Sequence, residues 1–398
     1  MSAPLQFSSR SQWNLQATRY AETLQALRTG SAPFFDLTIS NPTTCGFQYD
    51  SVGILRELGR PECLEYSPDP RGLLQARAAV AQYYAEVAAA HVSSAQIFLT
   101  TSTSEAYSYL FRLHCDPGAE VLIAQPSYPL FEYLADLDDV RLIRCPLFYD
   151  HGWHLDLAAL EARITPRTRG LILVHPNNPT GHYTSQQERE ALERICLLHG
   201  LALIVDEVFL EYALDPSAIS AGGIGSFASG EHPVLTYVLS GLSKAAGLPQ
   251  MKAAWLAVMG PDDLRQEASA RLEVIADTFL SMNAPVQQAM PYMLASRRGV
   301  QRQILSRVRE NLTALDRCLQ SAPALSRLEM QGGWYAVLRV PSLLGGEELA
   351  IRLMQEQRVV VHPGYFYGFH GDGWIVVSLL PSTEEFLEGT MRLARFFG

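Results

Sequence analysis

The stretch from Gly170 to Phe209, GLILVHPNNPTGHYTSQQEREALERICLLHGLALIVDEVF, decides the fold. It opens on the apolar run LILV, turns at HPNNPTG, carries a segment of helical period and enters a second apolar run, LALIV. Thr184 or Ser185 stands where a helix wants its N-cap, and Gly200 stands where the helix stops. Short runs with no polar alternation suit strands buried on both faces, and two of them joined by a helix make one unit of a parallel sheet. Both runs end in chemistry, Asn178 after the first and Asp206 after the second. In open parallel sheets ligands lie beyond the carboxyl ends of the strands, so the two polar groups face one place.

The same rhythm extends outward. EVLIAQPSY, VRLIRCPL, PVLTYVLSG and AAWLAVMG are further strands, separated by helix-length segments such as SEAYSYLFRLHC, so a mostly parallel sheet covered on both sides by helices is expected from about 95 to 260. Two more strand ends carry functional groups, Tyr128 after VLIAQ and Ser240 to Lys244 after VLTYVL. From about 290 a long amphipathic helix, RRGVQRQILSRVRENLTALDRCLQ, leads into strands GGWYAVLR, VVVHPG and WIVVSLL and a closing helix, TEEFLEGTMRLARFF. The expected organisation is an α/β fold with a large domain at 51–290 and a smaller α+β domain at 291–398. Residues 1–50 supply an N-terminal arm and part of the small domain.

Of 31 basic residues only Lys244 and Lys252 are lysine, and they stand eight positions apart in SGLSKAAGLPQMKAAW. Arginine replaces lysine wherever the task is solubility or a surface ion pair. It does not where an amine must lose its proton and attack carbon, because a guanidinium stays charged. The length of 398 residues, 48% of them hydrophobic and 18% charged, describes a globular chain with ample core. A net charge of −10 with no Lys/Arg-rich run argues against nucleic acid and anionic membranes as partners. The opening MSAPLQFSSRSQWNLQATR lacks a leader-like apolar core and no run reaches membrane-spanning length, so the cytoplasm is the expected compartment. Six cysteines without a C-x-x-C pair read as reduced thiols, and ten scattered histidines offer no metal spacing. Gly223-x-Gly225-x-x-Ala228 fits a dinucleotide fingerprint superficially but lacks the flanking strand and helix, and reads as a flexible loop.

The set of residues and its order resembles the pyridoxal-phosphate-dependent aminotransferases of fold type I, the class I and II group, over nearly the whole chain. The resemblance implies that Lys244, in GLSKAAGLP, forms a Schiff base with pyridoxal 5'-phosphate and is the catalytic residue. It implies Asn178 on the ring O3', Asp206 on the pyridine nitrogen and Tyr128 stacked on the ring. The phosphate falls to the helix-opening turn Thr101 to Ala106, including Ser102 (where glycine is usual) and Thr103, with Ser240 and Ser243 nearby. Tyr66, in EYSPDPRGLLQAR, corresponds to a tyrosine that reaches the neighbouring subunit's cofactor, which implies a homodimer. The physical reasons stand beside the name. An amine captures a carbonyl cofactor, a buried carboxylate keeps a ring nitrogen protonated, and a helix N-terminus holds a phosphate.

Three departures stand out. Lys252 occupies the position of the family's phosphate-binding arginine, a point charge where a planar fork is usual. Phe209 replaces the usual tyrosine three residues after the aspartate, so one hydrogen bond to O3' is missing and the imine pKa is expected to be raised. Val376 stands where an arginine grips the substrate α-carboxylate. Either another cation serves, with Arg71 and Arg339 as candidates, or the amine is not a plain α-amino acid. The expected function is amino transfer from an amino acid or related amine to a keto acid. Other reactions of the cofactor on the same fold (β-elimination, decarboxylation, oxidation) and a non-catalytic sensor are the alternatives.

Overall fold

The computed structural model describes residues 5–217 and 223–398. All six apolar runs become strands of one eight-stranded sheet. Across the sheet the order is Ile97–Thr100, Ala254–Met259, Thr236–Gly241, Ala202–Asp206, Thr168–Val174, Glu120–Gln125, Arg141–Tyr149 and Trp153–Leu155. The five strands from Thr236–Gly241 to Arg141–Tyr149 are mutually parallel. Ala254–Met259, expected among the parallel strands, runs antiparallel to both neighbours. The reason is the short return between Gly241 and Ala254, taken up by the helical turns Leu242–Ala245 and Pro249–Met251, which leaves no crossover helix to bring the chain back to the same end.

Strict burial of both faces explains the unbroken apolar runs. Val121 and Ile123 face one core with Ile172, Ile204 and Leu239. Leu122 and Ala124 face the other with Leu171, Leu203 and Val238. The first core is covered by helices Thr103–His114 and Asp262–Phe279, the second by Leu74–Ala88, Gln186–His199 and Ala284–Ser296. Helix Gln186–His199 starts as its sequence demands. Ser185 accepts from the Glu188 N–H while the Glu188 carboxylate accepts from the Ser185 N–H, and Gly200 ends the helix at φ 63°.

From Glu120–Gln125 the chain moves outward to Arg141–Tyr149, then crosses back to Thr168–Val174 on the other side. That reversal opens a crevice at the carboxyl ends of the strands, where ligands bind in such sheets. Tyr128 and Asn178 flank it.

The C-terminal part is built on strands Tyr335–Arg339 and Trp374–Ser378, antiparallel, with Ser326–Arg327 and His362–Pro363 at the edges. Helices Arg298–Gln320 and Thr383–Phe397 pack on it. Asn311, fully buried in the long helix, donates to the carbonyls of Leu379 (3.0 Å) and Pro381 (2.9 Å) and so ties helix to sheet. The N-terminal Phe35–Asp36 pairs in parallel with Val359–Val360. Among the described residues no helix is long and apolar enough to cross a membrane.

Candidate active site

Asp206 closes its strand and lies in register with Val174 and Leu239. Its Oδ1 accepts from the Val208 N–H at 3.1 Å and its Oδ2 from the Tyr107 hydroxyl at 3.2 Å. Burial pushes the carboxyl from 3.8 up to about 6, against the pull of these donors, of the Lys244 charge and of the Thr103 hydroxyl. The opposite holds for Lys244. Its ammonium is pulled below the ordinary lysine value by burial, and Asp206 offsets part of this. The amine projects from the short helix Leu242–Ala245, whose Lys244 carbonyl accepts from the Tyr212 hydroxyl at 2.7 Å. Lys244 Nζ lies 5.3 Å from the Trp334 ring centroid and 5.9 Å from that of Phe209. A half-buried amine held against aromatic faces, beside one carboxylate, loses its proton more readily than a free lysine and so can act as a nucleophile.

The NNPTG turn brings the small domain's GGWY segment to this amine. Asn177 Oδ1 accepts from the Thr180 N–H (3.3 Å) and hydroxyl (2.8 Å), which fixes the turn. Gly181 sits at φ 72°, and a Cβ there would stand 2.4 Å from the Gly332 carbonyl oxygen. Only glycine therefore allows the Gln331 and Gly332 N–H groups to reach the Gly181 carbonyl, at 3.2 and 3.1 Å, and this seats Trp334 over Lys244. Asn178 is buried, and its Oδ1 has no partner among the described residues.

Ser102 caps helix Thr103–His114, its hydroxyl accepting from the Glu105 N–H at 3.2 Å. The Glu105 carboxylate turns back to accept from the Thr101 N–H (2.7 Å) and hydroxyl (3.0 Å). The first-turn amides beyond Ser102 remain available to an anion. Tyr128 is exposed at the crevice. Phe209 is buried edge-on to Trp334, 5.3 Å between centroids. Ser240 is fully buried, its hydroxyl directed at the Glu207 carbonyl at 3.4 Å, and Ser243 is half-buried. Lys252 ends the turn Pro249–Met251 at φ 51°, exposed and free of any ion pair among the described residues. Tyr66 is 83% exposed and stands away from these groups, on the rim of a cleft of about 550 Å³ that Tyr109, Leu280 and Ser281 also line.

Neither candidate arginine joins the site. Arg71 gives its Nε and Nη2 to Glu273 (3.0 and 2.8 Å) and its Nη1 to the Ala95 carbonyl, and it stacks on Phe98 at 4.9 Å. Arg339 lies at the far end of the strand that begins at Tyr335. It is held by the carbonyls of Asp372 (2.8 Å) and Gly373 (3.2 Å) and by the Trp374 ring at 4.2 Å. Both are structural, a correction to the sequence expectation. Gly223 to Ala228 forms no nucleotide fold, and the loop is pinned instead of flexible. The buried Glu207 carboxylate accepts from the Ser226 hydroxyl (2.7 Å) and the Phe227 N–H (2.6 Å). Tyr107, Tyr212 and Trp334 were missed. Tyr107 is four residues past Thr103, one helical turn on, and that spacing could have placed it beside Thr103's neighbour Asp206.

These residues suit the cofactor that the resemblance implies. A deep carboxylate in electrostatic contact with an amine, and bonded by the Thr103 hydroxyl at an open helix N-terminus, lies in the crevice, and the buried Asn178 amide stands at the end of the neighbouring strand.

Residues 56–389 match the aminotransferase class I and II family. The glutamate-pyruvate aminotransferase AlaA of Haemophilus influenzae is 23% identical over 394 residues, 96% of this chain and 95% of that protein. The alanine aminotransferase of Mycobacterium tuberculosis is 27% identical over 369 residues, 90% of this chain and 84% of that one. Among solved structures, an aminotransferase from Escherichia coli superposes with a TM-score of 0.87 at 22% identity, covering 99% of this chain and 98% of its own. A single mutant of the Thermus thermophilus aspartate aminotransferase gives 0.83 at 21%, covering 98% and 100%.

Proposed function

The chain belongs to the aminotransferase class I and II family, and we propose that within it Lys244 is the amine that carries pyridoxal 5'-phosphate and moves the proton of the transferred group. The observation that carries this is the placement of Lys244 Nζ on the Trp334 and Phe209 rings, in electrostatic contact with buried Asp206. The cofactor supplies an electron sink that acidifies the carbon bearing the amine.

The chain's own groups do the rest. Asp206, fixed by Val208 and Tyr107, pairs with the ring nitrogen and keeps it protonated. Asn178 donates its amide to O3', and Tyr128 covers the open face of the ring. Ser102, Thr103, Ser243 and Lys252 hold the phosphate. Buried Ser240 supports this loop from behind through Glu207. With the cofactor bound, Lys244 Nζ would be the base that takes and passes on the proton of the carbon bearing the amine. Phe209 and Trp334 keep water from the amine. A homodimer is supported by exposed apolar residues around the Tyr66 cleft, Leu64, Tyr66 and Leu74, which a second copy would cover. Residues 51–290 act as the cofactor domain and 1–50 with 291–398 as the smaller one, in the cytoplasm. Relatives named for alanine, glutamate and pyruvate make amino and keto acids the first substrates to try.

The test is an anaerobic absorbance scan of holoprotein mixed with single amines. The proposal expects at least one amine to convert the cofactor to its aminated form and a keto acid to restore it. Ammonia or carbon dioxide release without conversion would point to another reaction of the same cofactor.

A further inference from the structure

The register of the small sheet gives the neighbours of Val376, where the resemblance expects an arginine. Tyr335 lies opposite Ser378, Val337 opposite Val376 and Arg339 opposite Trp374, while His362 lies opposite Val376 on the other side. Directly opposed residues in an antiparallel pair share a face, so Tyr335, Val337, Val376 and His362 form one wall. Its near end connects to the Lys244 amine through Phe209. The Tyr335 ring is 6.3 Å from that of Phe209, which is itself 5.9 Å from Lys244 Nζ. Tyr367 lies over the wall, its ring 6.3 Å from Tyr335 and its hydroxyl 3.0 Å from His362 Nδ1. The strand end that carries Tyr128 meets the same place, because the Ser127 N–H donates to the Tyr367 carbonyl at 2.9 Å.

Among the described residues no fixed charge stands on this wall near the amine. Burial pulls His362 down to about 4, so its imidazole is neutral near pH 7. Burial also pushes Tyr335 up to about 12 and holds Tyr367 well above the ordinary phenol value, so both phenols keep their protons. Val376 is fully buried, and Arg339 at the far end is committed to Trp374 and two carbonyls. Two polar atoms wait without partners among the described residues, the hydroxyl of Ser127, a residue only 5% exposed, and the Oε1 of Gln125. The Gln125 amide lies against Gly368, next to Tyr367.

We propose that this wall receives an uncharged, hydroxyl-bearing arm of the amine donor, as in an amino alcohol or amino polyol, in place of a free α-carboxylate; this rests on the aminotransferase reading above. A carboxylate can accept from the phenols, but it has no hydrogen to give to the Gln125 oxygen. It would also lose its water against a wall that offers no cation. An alcohol accepts from a phenol, donates to Gln125 Oε1 and brings no charge to desolvate. A site built to hydrogen-bond a hydroxyl discriminates strongly against analogues that leave its polar atoms unpaired.

The experiment titrates holoprotein with 2-amino-1-propanol and 2-amino-1,3-propanediol on one side and alanine and glutamate on the other, following conversion of the cofactor's absorbance. Half-saturation for an amino alcohol is expected about tenfold or more below that for either amino acid. Alanine or glutamate saturating at equal or lower concentration would overturn the inference and leave the aminotransferase reading intact. No conversion by any amine, with the cofactor bound, would sink both. Tyr335→Phe is expected to raise the amino alcohols' KM by about tenfold, narrowing their advantage over alanine, with the cofactor's spectrum unchanged. An unchanged ratio of the two would contradict the assignment.

Discussion

Replacing Asp206 by asparagine should stabilise the cofactor-free protein near neutral pH while abolishing amino transfer. Burial holds the Asp206 carboxyl at about 6 against an ordinary 3.8, so between these values the folded chain binds a proton that the unfolded chain has released. A folded-state pKa raised in this way favours folding at low pH, and the benefit is lost as pH rises through the folded value. At about 1.4 kcal/mol per pKa unit, the penalty from Asp206 is about 2 kcal/mol at pH 5 and about 3 kcal/mol at pH 7.5. Asparagine escapes it, because it carries no charge: its one oxygen can keep the Val208 N–H, and its NH2 can donate to the Tyr107 hydroxyl oxygen in place of accepting from it. Urea unfolding of the two cofactor-free proteins at both pH values measures the gap. It should favour Asp206→Asn and widen by more than about 1 kcal/mol between pH 5 and 7.5. A gap that does not move with pH, or a wild type that is the more stable at pH 7.5, would refute the reasoning. The underlying logic is that a carboxylate kept for a ligand's ring nitrogen destabilises the fold until the ligand arrives.

Lys252→Ala should weaken cofactor binding about tenfold or more in an absorbance titration, and Lys252→Arg should restore it, because the exposed ammonium has no other partner among the described residues. Phe209→Tyr should lower the pH midpoint of the holoprotein's visible absorbance by supplying the missing donor to O3', while the wild-type midpoint lies above that of tyrosine-bearing relatives. Asn311→Ala should cost about 2 to 4 kcal/mol in urea unfolding, since two buried carbonyls lose their donor, and leave the cofactor's spectrum intact.

Local signals made the large domain legible. The apolar runs are buried on both faces, and the Ser185 and Gly200 signals mark the helix ends where the structure has them. The proximity of Lys244 to Asp206 was readable because the strand ends of a parallel sheet point into one crevice. The antiparallel Ala254–Met259 was not, since burial looks the same in either direction and only the length of its connection tells. Arg71 and Arg339 were misread for a related reason. Their partners Glu273, Trp374 and the carbonyls of Ala95 and Asp372 are brought to them by tertiary packing, and a free cation and a committed one look alike in sequence. Trp334 was missed because its place over Lys244 depends on the contact between Gly181 and Gly332, two glycines far apart in the chain.

The most direct test uses the scarcity of lysine. Borohydride reduction of the holoprotein fixes the cofactor to whichever amine holds it, and mass mapping then has two lysine peptides to choose between. The account predicts the added mass on the peptide that contains Lys244, and none in Lys244→Ala. The added mass on Lys252, or on neither lysine, would contradict it.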